Sequence, residues 1–159
     1  MSINLFFRCF FRYLLIFLMF FLSIGALFGG YMLISDPSGA SLHLPAGTLT
    51  GSPFTNFTIP GIILLFSLGI LPLFLIYPLI FLPDWPRANL FNLYSERHWA
   101  WTYSLYVGII LVIWIDFQIF LIGGGSRIQF IYALLGIGIV ITALLPSNIR
   151  FYSKMKDME

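Results

Sequence analysis

Asp116 is the residue of this sequence whose type and setting could do chemistry. It is the only acid inside the apolar stretch Trp101–Ile122. A carboxylate within hydrocarbon costs at least a few kcal/mol on insertion scales, and such residues mark ion or proton paths. Six residues separate it from Ile122, which sets it about 9 Å beneath the boundary at 1.5 Å of helix rise per residue. After the turn Gly123-Gly124-Gly125 come Arg127 and Gln129, and Gln118 belongs to the same layer. Asp116, Gln118, Arg127 and Gln129 therefore form a candidate intramembrane polar cluster. It reads either as a structural tie between two helices or as a proton or cation site opening at one surface.

Other reactive residue types lack a matching arrangement. His43 and His98 fall on opposite sides of the expected membrane, so within one chain they do not share a metal or a haem iron. Asp36, Ser41 and His43 have no catalytic spacing, and neither an HExxH helix nor a glycine-rich phosphate loop occurs. No catalytic residue, metal ligand or cofactor site is expected, and the chain reads as no enzyme. Cys9 is the only cysteine, which excludes an internal disulfide.

These residues must be positioned by membrane helices. Of 159 residues, 60% are hydrophobic, 19% are aromatic and 9% are charged. Soluble domains average about 25% charged residues, and a mean hydropathy of +0.97 agrees that the solvent is lipid. A net charge of +2 is too small for a nucleic-acid partner. Four runs approach or exceed the ~20 residues that cross a hydrocarbon core: Tyr13–Ile34, Pro60–Leu82, Trp101–Ile122 and Ile128–Leu145. The expectation is an all-α, four-transmembrane-helix bundle forming one membrane domain over residues 1–159. Arg8 and Arg12 before the first run resemble a signal peptide, but the apolar stretch continues to Ile34, as an uncleaved span would.

Basic residues orient the bundle. Arg8, Arg12, Arg87, Arg97, Arg150, Lys154 and Lys156 lie on one side and only Arg127 on the other. The positive-inside rule then places both termini and the loop 83–100 in the cytoplasm. Trp85, Tyr94, Trp99 and Trp101 read as anchors at that cytoplasmic interface.

The outer loop, residues 35–58, is long enough to carry structure or function of its own. Asp36-Pro37-Ser38-Gly39 reads as a turn, and a short interfacial helix is expected near Pro45–Gly51. Asp36, His43 and Phe54 are candidate contact residues of this loop. Asn56-Phe57-Thr58 matches a glycan acceptor pattern that is short and frequent by chance. Pro72 and Pro78 should bend the second span. Gly25 with Gly29, Ala26 with Gly30, and Gly138 with Thr142 are small pairs suited to close helix packing.

The strings ISDPSGASLHLP, GSPFTNFTIPG and LVIWIDFQIFLIGGGSRIQFIYALLGIGI, with LLPSNIRFY after them, resemble a family of small, uncharacterised four-span bacterial inner-membrane proteins. The resemblance spans about residues 25–152 and rests on Asp36-Pro37-Ser38-Gly39, Ser52-Pro53-Phe54, Ile59-Pro60-Gly61, Trp114, Gln118, Gln129 and Pro146. It implies the same four spans and a bacterial inner membrane, and brings no activity with it. Asp116 lies outside the pattern. The functional expectation is a non-enzymatic accessory or interaction subunit, working in the lipid bilayer beside a membrane-protein partner or a second copy. The alternatives are a small oligomeric transporter or channel with Asp116 near its outer mouth, and a binder of lipid or quinone.

Overall fold

The computed structural model describes residues 2–45, 47–122 and 124–153, with the backbone alone for residues 2–8, 121 and 122. Four helices in it are long and apolar enough to cross a membrane. They are α1, Ser2–Ser35; α2, Thr58–Phe81; α3, Trp99–Ile122; and α4, Arg127–Leu144. By length and composition this is a multi-pass membrane protein. In lipid the backbone can satisfy its polar groups only internally, so uninterrupted apolar runs of this length become helices. Among the described residues there is no strand, only an isolated bridge between Arg97 and Ser153.

Each long helix packs on its neighbour in sequence and α4 returns onto α1, giving an up-and-down bundle with a short α3–α4 connection and longer ones over residues 36–57 and 82–98. Helical spacing selects the buried faces. Leu15, Met19, Leu22 and Ala26 of α1 meet Leu68, Leu75 and Leu79 of α2, Val107, Leu111 and Ile115 of α3, and Ile139 of α4 in one core. Phe17, Phe21, Phe28 and Tyr31 face outward, so the apolar character continues around the helix, as lipid requires.

Glycines set the closest approaches. A Cβ on Gly30 would lie 3.0 Å from the Gly61 carbonyl oxygen, and one on Gly136 would lie 3.1 Å from that of Gly108. The first contact joins α1 to α2 and the second joins α3 to α4. Gly25 instead receives the Tyr132 hydroxyl. The Gly138 site is open, with nothing nearer than a Leu18 methyl at 3.9 Å. Gly108 closes a small-residue repeat with Ala100 and Ser104 on α3, whereas Gly136 has no such repeat on α4.

Pro72 of α2 acts through a wider turn, whereas Pro78 stands inside the α-helical stretch Leu71–Phe81. Residues Leu64–Ile70 form a π-helical segment, closed by Leu71 N–H on the Phe66 carbonyl just before Pro72. Pro72 has no N–H and its ring crowds the preceding turn, and a π turn relieves that crowding.

Several expectations change. α1 begins at Ser2, well before Tyr13. The loop's only short helix among the described residues is a 3-10 turn at Ala40–Leu42, whereas 47–51 are turns. Trp99 and Trp101 are core residues, 1% and 3% exposed, leaving Trp85 and Tyr94 at the surface. Both buried indoles donate to carbonyls at helix ends, Trp99 to Pro83 at 3.2 Å and Trp101 to Ala143 at 2.9 Å. A short terminal helix α5, Pro146–Phe151, folds back against α1 and α4.

Candidate functional site

Three polar regions stand out: a cap at the bundle end between α1 and α2, a layer between α3 and α4, and a cluster beside the termini.

The cap comprises residues 36–57. Asp36 organises its first half. Its Oδ1 accepts from Ser38 N–H at 3.1 Å and Ser38 Oγ at 2.6 Å, and its Oδ2 from Ser41 N–H at 2.8 Å and Ser41 Oγ at 2.7 Å. These bonds favour the charged form. The Ser38 hydroxyl, then the Ser41 hydroxyl and amide, hold this carboxyl well below the usual carboxylate range. Asp36 is thus a turn-builder, with its acceptors occupied. Gly39 follows at φ 77°, where a Cβ would meet the Phe57 ring at 2.8 Å. Phe57 N–H donates to the Pro37 carbonyl at 3.0 Å and closes the cap. Between its two halves lies a recess of about 460 Å³, lined by Pro45, Leu49, Phe54 and Phe57 together with Thr48, Thr50 and Asn56. No charged side chain lines it. Phe54 therefore belongs to the recess wall, whereas His43 is an exposed residue at φ 53° outside it.

The α3–α4 layer brings together two of its four residues. Gln129 Nε2 donates to Gln118 Oε1 at 3.3 Å. Gln129 also completes a capping box with Ser126, accepting from the Ser126 amide at 2.8 Å while its own amide bonds the Ser126 hydroxyl. Asp116 and Arg127 are exposed, and no ion pair joins them among the described residues. Each lies two residues from the glutamine that crosses the helix interface, and two residues turn a helix by about 200°. Each consequently points away from the neighbour that carries the other.

The cluster beside the termini was not visible as a site in the sequence. Arg12 of α1 donates from Nη2 to the carbonyls of Leu79 at 3.2 Å and Ile80 at 2.5 Å, and its guanidinium lies 4.3 Å from the Phe151 ring centroid. Tyr152 OH donates to Leu79 at 3.0 Å. Asn148 Nδ2 donates to Thr142 at 2.8 Å and to Phe11 at 3.1 Å. Apart from the Asn148 bond to Phe11, inside α1, these donors reach the last turn of a helix, whose carbonyls lack a next turn to meet them. A cation there also meets the negative end of the α2 dipole. His98 serves the opposite end of α3: its Nδ1 accepts from the Ala100 amide at 3.3 Å, and its Nε2 faces the Pro83 carbonyl at 3.1 Å. The sequence signal was the pair Leu82-Pro83 and Leu145-Pro146, since proline after an apolar run stops a helix and leaves carbonyls to be met.

No group of three or more His, Cys, Asp or Glu residues suited to a metal occurs among the described residues. His43 and His98 lie at opposite ends of the bundle. Cys9 is exposed and unpaired. Compared with known proteins, the chain matches no family model, no curated protein and no solved structure.

Proposed function

We propose that this chain is a non-enzymatic accessory or interaction subunit of a bacterial inner (plasma) membrane, contacting its partner through the cap over residues 36–57. One observation carries the reading: a loop whose first half is braced by Asp36 keeps an uncharged recess open. Apolar rings and side-chain hydroxyls around such a recess suit a partner segment that brings apolar side chains and backbone amides. The asymmetry of seven basic residues against one supports a cap on the outer face, with both termini in the cytoplasm.

The second reading, a binder of lipid or quinone, is favoured by the recess volume, which lies in the range of small-ligand sites. A transport path through one chain draws no support from the interior, where Leu15, Met19, Leu68, Leu75 and Leu111 meet in the core.

A photo-crosslinking amino acid at Thr55, which lines the recess, tests the reading in cells. A discrete cross-linked protein that is lost in an Asp36→Ala background is the expected result. Cross-linking to lipid or quinone alone would favour the second reading, and protein cross-links insensitive to Asp36→Ala would defeat the first.

A further inference from the structure

Leu93, Leu90 and Phe91 are three of the four most exposed large apolar side chains among the described residues, at 82%, 78% and 74%. All three belong to the loop between α2 and α3, in which Pro86–Phe91 form a 3-10 helix. The fourth, Phe120, is inside the α3 span, where lipid meets it. What covers the loop depends on where α3 holds it.

Thr102, Tyr103 and Tyr106 bind the loop alongside α3 rather than beyond its end. Tyr103 OH donates to the Ala88 carbonyl at 2.8 Å. Tyr106 OH donates to the Phe91 carbonyl at 3.1 Å and accepts from the Leu93 amide at 3.4 Å. Thr102 Oγ1 donates to Asn92 Oδ1 at 2.5 Å, and Asn92 Nδ2 donates to the Arg97 carbonyl at 3.0 Å. The Thr102 side chain is short, so Asn92 is level with the first turn of α3, about 4.5 Å from the helix start. With 24 residues α3 is about 36 Å long, against about 30 Å for a hydrocarbon core. Centred on that core, the helix sets Asn92 at the boundary between headgroups and acyl chains. Irregular backbone at that depth needs partners for its polar groups, and the hydroxyls of α3 supply them. Ile110 and Ile113 follow Tyr106 at helical spacing and are exposed, so the apolar surface continues from the loop into the span.

We propose that the loop over residues 86–94 is a lipid-binding element, inserted into the leaflet at the α2–α3 end of the bundle. Leu90, Phe91 and Leu93 lie among its acyl chains, and the hydroxyls of Tyr103 and Tyr106 replace water on the loop backbone. Between Leu82 and Trp99 the charges of Asp84, Arg87, Glu96 and Arg97 cancel. Insertion therefore rests on apolar contact and not on anionic headgroups. It is independent of what the cap binds and of which face is cytoplasmic.

A fluorophore on Leu90→Cys or Leu93→Cys, in the full-length chain carrying Cys9→Ala, reports the depth of the loop. Ile113→Cys gives the lipid reference and Glu96→Cys the aqueous one, both positions being exposed. The chains are placed in phosphatidylcholine nanodiscs, whose two faces are both open to solution. Nitroxides on the acyl chains should quench positions 90 and 93 nearly as strongly as 113, and iodide should quench them several-fold less than 96. Tyr103→Phe with Tyr106→Phe, which removes the hydroxyls and keeps the rings, should raise iodide quenching at 90 and 93 and leave 113 unchanged. Iodide quenching at 90 and 93 equal to that at 96 overturns the proposal, because the loop then stands in water. Shielding from both quenchers overturns it too, because a second copy or another protein then covers the loop. So does a loop that the double tyrosine variant leaves unchanged, or lipid quenching that appears only when phosphatidylglycerol is added.

Discussion

Tyr152 donates its hydroxyl hydrogen to the Leu79 carbonyl at 3.0 Å, 73 positions away in sequence. The bond ties the terminal segment to the end of α2, and burial keeps the phenol neutral. Burial raises the Tyr152 hydroxyl from the ordinary value of 10.0 to about 12, against the opposing pull of Arg12. Between those values the unfolded chain loses a proton that the folded chain retains. This contribution to stability is therefore complete below about pH 10 and is lost as pH rises towards 12. Tyr152→Phe should cost about 1 kcal/mol at pH 8. Its deficit relative to the unsubstituted chain should shrink above pH 10. Thermal unfolding in detergent at pH 8–11.5 measures both, and a deficit that stays constant over this range would contradict the assignment.

Arg12 reaches the same carbonyl and that of Ile80. Its Nε is buried without a hydrogen-bond partner, so a lysine gives up no bond there and can still bring its ammonium to the α2 end. Arg12→Lys should therefore retain most of the stability. Arg12→Ala should lose about 1.5–3 kcal/mol, the range for hydrogen bonds to a charged group. Melting temperatures in detergent should rank arginine, then lysine, then alanine. Equal losses for Lys and Ala would assign the effect to guanidinium stacking on Phe151 instead.

Adjacent glycines on α1 should answer differently to one methyl group. On Gly30 it would stand 2.9 Å from the Leu65 amide nitrogen and 3.0 Å from the Gly61 carbonyl, both backbone atoms. On Gly29 it would touch only a Leu64 methyl at 3.4 Å. Gly30→Ala should cost about 1–3 kcal/mol as overpacking. Gly29→Ala should be neutral or stabilising, since alanine gains up to about 1 kcal/mol in helix propensity. Unfolding of the two variants in detergent compares them, and equal costs would place the α1–α2 approach elsewhere.

The four spans were legible because lipid requires long apolar runs to be helices, and little else competes with that rule. Facing directions were less so. Asp116 and Arg127 looked like partners by depth, but depth follows from residue count, whereas direction depends on which residues of each helix meet. Gln118 and Gln129 settle that, and no feature of their spacing distinguishes them beforehand from the charged residues beside them. Trp99 and Trp101 looked like interface anchors because tryptophan favours that zone. The carbonyls of Pro83 and Ala143 that bury them arise only from folding. The Asp36 turn was readable, being local in sequence. The recess was not, because it needs Phe57 to return to Pro37.

Gln129 has two duties and Gln118 one. Gln118→Leu removes the interhelical bond, worth about 0.6–1 kcal/mol between membrane helices. Gln129→Leu also removes half of the capping box with Ser126, adding about 0.5–2 kcal/mol. Gln129→Leu should therefore be the more damaging change, and Ser126→Ala should remove only the other half of the box, the Gln129 amide bond to the Ser126 hydroxyl, with the Gln118 bond left in place. Denaturant titration in mixed micelles gives the order. If Gln118→Leu proved as harmful as Gln129→Leu, the interhelical bond rather than the cap would dominate the layer.

Asp36 should govern the cap without affecting the bundle. Its hydroxyl and amide donors all come from Ser38 and Ser41, within the same loop. Because its folded pKa is lowered, its contribution is present above the unfolded value of about 3.9. That contribution is lost only as pH falls through the lower folded value. Cap order should thus be unchanged between pH 7 and 5. Asp36→Ala should speed hydrogen exchange at the Ser38 and Ser41 amides while protection within α2 and α3 persists. Asp36→Asn, which keeps one acceptor oxygen, should fall between. Hydrogen exchange read by mass spectrometry and corrected for intrinsic rates tests all three. A cap that already loosens at pH 5, or that exchanges no faster in Asp36→Ala, would show that something other than this carboxylate holds it.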